Sequence, residues 1–147
     1  MKVLFISLGC DKNLVDSEFM LGKLTKHKFT VTDDEQEADI IVVNTCCFIH
    51  DAKEESIQSI LDMVQYRTSG SCKALIVCGC LAERYRDEIL KEIPEVDAVL
   101  GIGANKDIAL ALKEALEGHK KELFASKYDL SLSGERVLST PKFYAYL

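Results

Sequence analysis

The chain has 147 residues, of which 48% are hydrophobic and 29% charged, as expected for one globular domain. Its formal net charge is −6 and its 18 basic residues are scattered, which argues against nucleic-acid binding by this chain alone. No targeting segment is recognisable, and the longest apolar runs fall far short of the ~20 residues that span a bilayer. We therefore expect a cytoplasmic protein without a membrane partner.

Short apolar runs alternate with helical stretches along most of the chain. The runs are uninterrupted and rich in β-branched residues, as in strands that are buried on both faces of a parallel sheet. This alternation predicts an α/β fold: a doubly wound, mainly parallel five-stranded sheet of flavodoxin- or Rossmann-like type, with the flavodoxin-like strand order 2-1-3-4-5 preferred. The predicted strands are Lys2–Ser7, Phe29–Val31, Asp39–Val43, Lys73–Val77 and Ala98–Leu100.

Four helices are predicted between and after these strands. The first lies near residues 13–26, and the last ends at Gly118, a residue type that commonly follows a helix. We interpret the basic run 119–121 as the solvated end of a helix, where the helix dipole favours positive charge. The predicted apolar faces are Ile57, Ile60, Leu61 and Val64 in the second helix, Ala82, Tyr85 and Ile89 in the third, and Ile108, Leu112, Ala115 and Leu116 in the fourth.

The composition changes after Gly118. Residues 127–139 contain Ser, Asp and Gly and suit a linker, whereas Phe143–Leu147 is aromatic and β-prone. The tail is either a final edge strand of the same sheet or the first strand of a following domain. We expect the second arrangement, with one domain over residues 1–125 and a linker with the start of the next domain over residues 126–147.

Five of the six cysteines follow or end predicted strands. Cys10 follows the first strand, Cys46 and Cys47 follow the third, and Cys78 and Cys80 lie at the end of the fourth. Strands one, three and four are neighbours in the predicted order, ~4.8 Å apart, and ligands of open α/β sheets bind outside the carboxyl ends of the strands. Three cysteine-bearing turns therefore converge on one crevice. Cys72 precedes its strand, at the opposite edge of the sheet, and is excluded.

Widely separated thiols that a fold brings together suit an iron–sulfur cluster. The sequence has no C-x₂-C pair, and His27 and His50 are isolated, so the pattern is not that of a zinc ribbon. Two alternatives remain: buried, inert cysteines, and a thiol–disulfide role for Cys46–Cys47 or Cys78–Cys80. The sequence GIGANK after the fifth strand holds only part of a dinucleotide fingerprint, and we interpret it as a plain strand-to-helix turn.

Three motifs resemble the N-terminal domain of the radical SAM methylthiotransferases. They are SLGCDKNLVDSE, VVNTCCFIHDAKEESI and VCGCLAERY, and they occur in the order and spacing of that family. The tail LSTPKFYAYL is similar to the family's junction with its radical SAM barrel, so residues 126–147 are expected to include the start of a truncated radical SAM domain. The first motif is most like the branch that modifies an aspartate of a small-subunit ribosomal protein; the tRNA branches more often have FGCQMN there.

The resemblance implies an auxiliary 4Fe–4S cluster held by Cys10, Cys46 and Cys80. Three thiolates on four irons leave one iron open, where sulfur from a sulfide or other sulfur donor binds. Cys47, where the family often has glycine, and Cys78 depart from the pattern. The resemblance also implies a second 4Fe–4S cluster and S-adenosylmethionine in the full-length transferase, so this chain alone is expected to be inactive. The alternatives are a tRNA adenosine methylthiotransferase domain, a flavodoxin-like electron carrier and a thiol redox module.

Overall fold

The protein is described here from a computed structural model. The structure describes residues 1–8, 11–47, 50–118 and 121–123, and for residues 11–13, 105 and 121–123 only the backbone. Within these ranges strands and helices alternate, except that the third strand follows the second directly, and a six-residue 3₁₀ helix, Ile102–Asp107, precedes the last α-helix. The strands are β1 (Lys2–Ser7), β2 (Thr30–Thr32), β3 (Ile40–Thr45), β4 (Ala74–Gly79), β5 (Ala98–Leu100) and β6 (Lys121–Leu123), and the helices are α1 (Asp11–Lys26), α2 (His50–Thr68), α3 (Cys80–Glu92) and α4 (Ile108–Leu116).

All strands of the sheet run parallel, in the order β2-β1-β3-β4-β5-β6. The first five follow the predicted order 2-1-3-4-5, which confirms the doubly wound α/β fold. A sixth, short strand pairs with β5 at one edge. The interpretation of the basic run 119–121 as a helix end is wrong for Lys121: α4 ends at Leu116, Gly118 has the positive φ of 83° that ends a helix, and Lys121 begins β6.

Alternate residues of the central strands face opposite sides of the sheet and form two apolar clusters. Ile40 and Ile76 belong to the cluster that packs against α1 and α4, whereas Ile41 and Leu75 belong to the cluster that packs against α2 and α3. β3 and β4 are buried along their whole length. This explains why they lack a polar alternation, and it places the carboxyl edge of the sheet between two packed layers of helix.

The predicted apolar face of α2 is only partly right. Ile60 is fully buried, but Ile57 and Leu61 are 36% and 47% exposed, while Ser56 and Met63 are buried instead. Relative to the predicted face, the buried face of α2 is shifted toward Ser56. Ser56 can occupy a buried position because its hydroxyl has hydrogen-bond partners inside the protein. In α3 and α4 the predicted positions Ala82, Ile89, Ile108, Leu112 and Ala115 are buried as expected.

An ion pair lies at the amino edge of the sheet. Arg67 of α2 donates to both carboxylate oxygens of the buried Asp97, at 2.7 and 3.0 Å, and the Leu75 amide donates to Asp97 Oδ2 at 2.8 Å. Cys72 lies at this same edge, buried, with its thiol donating to the Ala74 carbonyl at 3.1 Å. In the part of the chain that the structure describes, no helix is long and apolar enough to cross a membrane.

Candidate metal centre

The carboxyl ends of β1, β3 and β4 lie level with one another. Ser7 pairs with Asn44, Asn44 with Cys78, and Thr45 with Gly79. Cys46 and Cys80 are the next residues after the last pair, so they leave the sheet side by side from neighbouring strands whose axes are ~4.8 Å apart. The structure thus brings two of the three predicted ligands to one edge.

Cys10, the third predicted ligand, lies outside the described residues. The described residues on either side are Leu8 and Asp11. The Leu8 amide donates to the carbonyl of Asn44, two residues before Cys46, at 3.0 Å. Asp11 is the first residue of α1. The chain therefore enters the Cys10 segment from the same edge of the sheet that carries Cys46.

Cys46 is buried and its backbone is held by α2. The Cys46 amide donates to Ser56 Oγ, and the same hydroxyl donates to the Cys46 carbonyl, both at 2.9 Å. β3 ends at Thr45, so the ladder between β3 and β4 ends one residue before Cys46. Ser56 thus satisfies the backbone groups that the sheet no longer pairs.

Cys80 is placed by an abrupt change from strand to helix. Gly79 ends β4 with φ 93° and ψ −163°, and Cys80 is the first residue of α3, with no loop between them. A Cβ at Gly79 would lie 2.5 Å from Asn44 Oδ1 and 2.8 Å from the Thr45 amide nitrogen. Only glycine lets β4 approach β3 this closely in this conformation. Because the amino terminus of a helix favours negative charge, this is a suitable place for a thiolate.

A polar network underlies the edge. Asn44, fully buried, donates from Nδ2 to Ser17 Oγ at 2.6 Å, and Ser17 Oγ lies 2.7 Å from Ser7 Oγ. Thr45 Oγ1 donates to the Cys78 carbonyl at 2.6 Å. These bonds join the ends of β1, β3 and β4 to α1, so the strand ends cannot separate without breaking hydrogen bonds, of which those of Asn44 and Thr45 are buried.

The remaining thiols are placed differently. Cys78 is fully buried in the apolar cluster on the α1 and α4 side, and burial raises the pKa of its thiol far above the usual value, with the nearby Asp16 charge acting in the same direction. Cys47 is half-buried and packs against the cluster on the opposite side. Cys72 lies at the far edge, as predicted, and burial raises the pKa of its thiol too. Cys78 therefore packs as a core residue.

The donors that the structure places at this edge are thiols, which iron–sulfur clusters use. Two cysteines leave adjacent strands there, and the isolated His27 and His50 are both exposed. Among the residues that the structure describes, no three His, Cys, Asp or Glu side chains form a metal-binding group. A three-thiol site at this edge requires Cys10, which is not among them.

Two parts of the quoted motifs have roles that the sequence analysis did not assign. Ser56 holds Cys46, and Glu83 of α3 accepts a hydrogen bond from the Ile102 amide at 2.8 Å. Ile102 belongs to GIGANK, which forms the 3₁₀ helix between β5 and α4, so the interpretation as a strand-to-helix turn is confirmed. The signal for Ser56 was its place in the sequence, one turn before Ile60 on the face that α2 buries.

Comparison with known proteins supports the motif assignment. The model of the Uncharacterized protein family UPF0004 matches residues 2–101, well over half of the chain. Curated relatives named ribosomal protein uS12 methylthiotransferase RimO match all or nearly all of the chain. The relative from Lachnoclostridium phytofermentans is 57% identical, over 100% of this chain and 34% of the relative. The relative from Acetivibrio thermocellus is 52% identical, over 99% of this chain and 34% of the relative. The relative from Caldicellulosiruptor saccharolyticus is 50% identical, again over 99% of this chain and 34% of its own.

The chain therefore belongs to the UPF0004 family. The resemblance to methylthiotransferases that the three motifs predicted is confirmed by these relatives. The chain spans about a third of their length.

Proposed function

We propose that this chain is the auxiliary 4Fe–4S domain of a radical SAM methylthiotransferase that modifies an aspartate of a small-subunit ribosomal protein. The observation that carries the proposal is the pairing of Thr45 with Gly79, which makes Cys46 and Cys80 neighbours at the carboxyl edge of the sheet. The names of the relatives support the choice of a ribosomal protein as substrate over a tRNA adenosine. We expect the reaction in the cytoplasm, as a ribosomal substrate requires.

In this proposal Cys10, Cys46 and Cys80 bind the cluster. When bound, a cluster with three protein thiolates supplies an iron with no protein ligand, where sulfur from a sulfur donor can bind. Ser56 and Gly79 fix the backbones of Cys46 and Cys80 before the metal arrives. Cys78 keeps its proton in the core and takes no part.

The rest of the reaction needs parts that this sequence lacks. We propose that residues 1–125 form the cluster domain and that residues 126–147 lead into a radical SAM domain with its own 4Fe–4S cluster and S-adenosylmethionine. A C-x₃-C-x₂-C loop for that second cluster does not occur in the 147 residues. The chain by itself is expected to produce no 5′-deoxyadenosine from S-adenosylmethionine and to transfer no methylthio group.

Iron and sulfide analysis after anaerobic reconstitution tests the ligand set. Serine substitution of Cys10, Cys46 or Cys80 should each abolish the brown 4Fe–4S absorption, because a cluster left with two thiolates is not retained. Cys72→Ser is the matched control and should keep full iron content. A fully loaded Cys46→Ser or Cys80→Ser variant would refute the assignment, and bound flavin without iron in the unsubstituted chain would favour a flavodoxin-like carrier.

The substrate is tested in the host. Deletion of the gene for the longer protein should lower the mass of one small-subunit ribosomal protein by one methylthio group and leave methylthiolated tRNA unchanged. Loss of the tRNA modification with an unchanged ribosomal protein would assign the chain to the other branch.

A further inference from the structure

The Ser56 hydroxyl is used in an unusual way for a serine inside a helix. Such a hydroxyl commonly turns back to a carbonyl of its own helix. Ser56 is fully buried, and its hydroxyl instead bonds across to the segment after β3. It accepts from the Cys46 amide and donates to the Cys46 carbonyl, so one hydroxyl serves both backbone groups of one residue.

Cys46 depends on this contact more than the preceding residue, Thr45, does. Thr45, the preceding residue, is still paired with Gly79 in the sheet and also bonds through its side chain to the Cys78 carbonyl. Cys46 is the first residue beyond the ladder, and both of its bonds to Ser56 are 2.9 Å long and buried. Removing the hydroxyl leaves a buried amide and a buried carbonyl without that partner, which favours movement of this residue in particular.

We propose that Ser56 is a positioning residue for the cluster: it fixes the backbone of the ligand Cys46 from α2, outside the thiolate set. This inference rests on the proposed function, since it takes Cys46 to be a ligand. Groups that orient metal ligands without touching the metal commonly contribute roughly 10- to 100-fold to metal affinity. Ser56 does not touch the reacting atoms and acts only through Cys46.

The test compares Ser56→Ala with Ser59→Ala in the 147-residue chain. Ser59 lies one turn further along α2 and is half-buried, so the control carries the same substitution in the same helix. Without metal, hydrogen exchange should accelerate at the Cys46 amide in Ser56→Ala and remain slow in Ser59→Ala. After anaerobic reconstitution, release of iron to a chelator, measured well below the melting temperature, should be roughly 10- to 100-fold faster in Ser56→Ala alone.

A role in stability alone would not give this pattern. It would lower the melting temperature of Ser56→Ala but leave iron release and the electron paramagnetic resonance spectrum of the reduced cluster unchanged. Ser56→Thr keeps the hydroxyl and should restore slow iron release and the original spectrum.

Each outcome decides between the two proposals. Iron uptake by the unsubstituted chain with equal release from Ser56→Ala and Ser59→Ala overturns the role of Ser56 and leaves the proposed function standing. Failure of the unsubstituted chain to bind iron overturns both. If Ser56→Ala does not fold, exchange of the Cys46 amide in the unsubstituted chain still decides: an amide that exchanges at the rate of an unfolded chain shows that Ser56 does not hold it.

Discussion

Replacing Gly79 by alanine should destabilise the protein at the point where β4 becomes α3. Gly79 has φ 93° and ψ −163°, a region that residues with a side chain rarely enter. The added Cβ would lie 2.5 Å from Asn44 Oδ1 and 2.8 Å from the Thr45 amide nitrogen, and closest to the Thr45 carbonyl oxygen. Two of these three neighbours are backbone atoms of the adjacent strand, so they cannot yield by rotating a side chain.

The expected loss follows from two contributions. The backbone conformation costs about 1–3 kcal/mol for a residue other than glycine. Forcing a methyl group into a packed interior costs about 1–3 kcal/mol more. The sum, roughly 2–6 kcal/mol, is a large share of the about 5–15 kcal/mol by which a domain is stable. Relief would come from moving β4 away from β3, which would also separate Cys80 from Cys46.

Urea unfolding followed by circular dichroism measures this loss, with Gly118→Ala as the matched control. Gly118 also has a positive φ, 83°, but a Cβ there meets nothing within 4 Å. We expect Gly118→Ala to lower the free energy of unfolding by about 1 kcal/mol, for the conformation alone. Equal losses in the two variants would refute the close approach of β3 and β4 at Gly79.

Two further predictions concern buried groups outside the proposed ligand set. Asp97→Ala should lower the free energy of unfolding by about 3 kcal/mol in urea unfolding, because it removes a carboxylate that Arg67 and the Leu75 amide both contact. A loss below about 0.5 kcal/mol, the level of an ordinary surface substitution, would contradict the buried pair. Since burial raises the pKa of the Cys78 thiol above its usual 9.0, the unfolded chain loses this proton first as the pH rises, and stability should fall above about pH 9. In reducing buffer Cys78→Ala should lessen that fall by about 1.4 kcal/mol per pH unit, and an unchanged slope would contradict a protonated core thiol.

The sheet could be predicted from the sequence because burial on both faces leaves a plain signal. The runs containing Ile40–Val43 and Leu75–Val77 are apolar at every position, and β3 and β4 are central strands buried throughout. β6 gave no such signal: Lys121–Leu123 is short, charged and at an edge. Edge strands are held by pairing with one neighbour, so their residues need not be apolar.

The face of α2 was mispredicted for a different reason. The pattern of apolar residues favoured Ile57 and Leu61, which are exposed, and could not show that Ser56 finds partners inside the protein. A hydroxyl can be buried when its hydrogen bonds are satisfied, but those bonds reach Cys46, ten residues away in sequence. Spacing within α2 can place Ser56 on the same face as Ile60, but it cannot identify Cys46 as the partner of the hydroxyl.

The sequence predicts that five cysteines lie at the carboxyl edge of the sheet. The packing of the chain then distinguishes the thiols at that edge from one another. Cys78 and Cys80 are two residues apart, yet one lies in a core cluster and the other begins a helix. The cause is Gly79, whose conformation ends the strand between them and turns the chain into α3. Cys46 is likewise the first residue after a ladder, with Ser56 in place of a strand partner. Cys46 and Cys80, two of the three proposed ligands, thus follow backbone arrangements that exist without metal, so these two residues have fixed places at the edge before a cluster is bound.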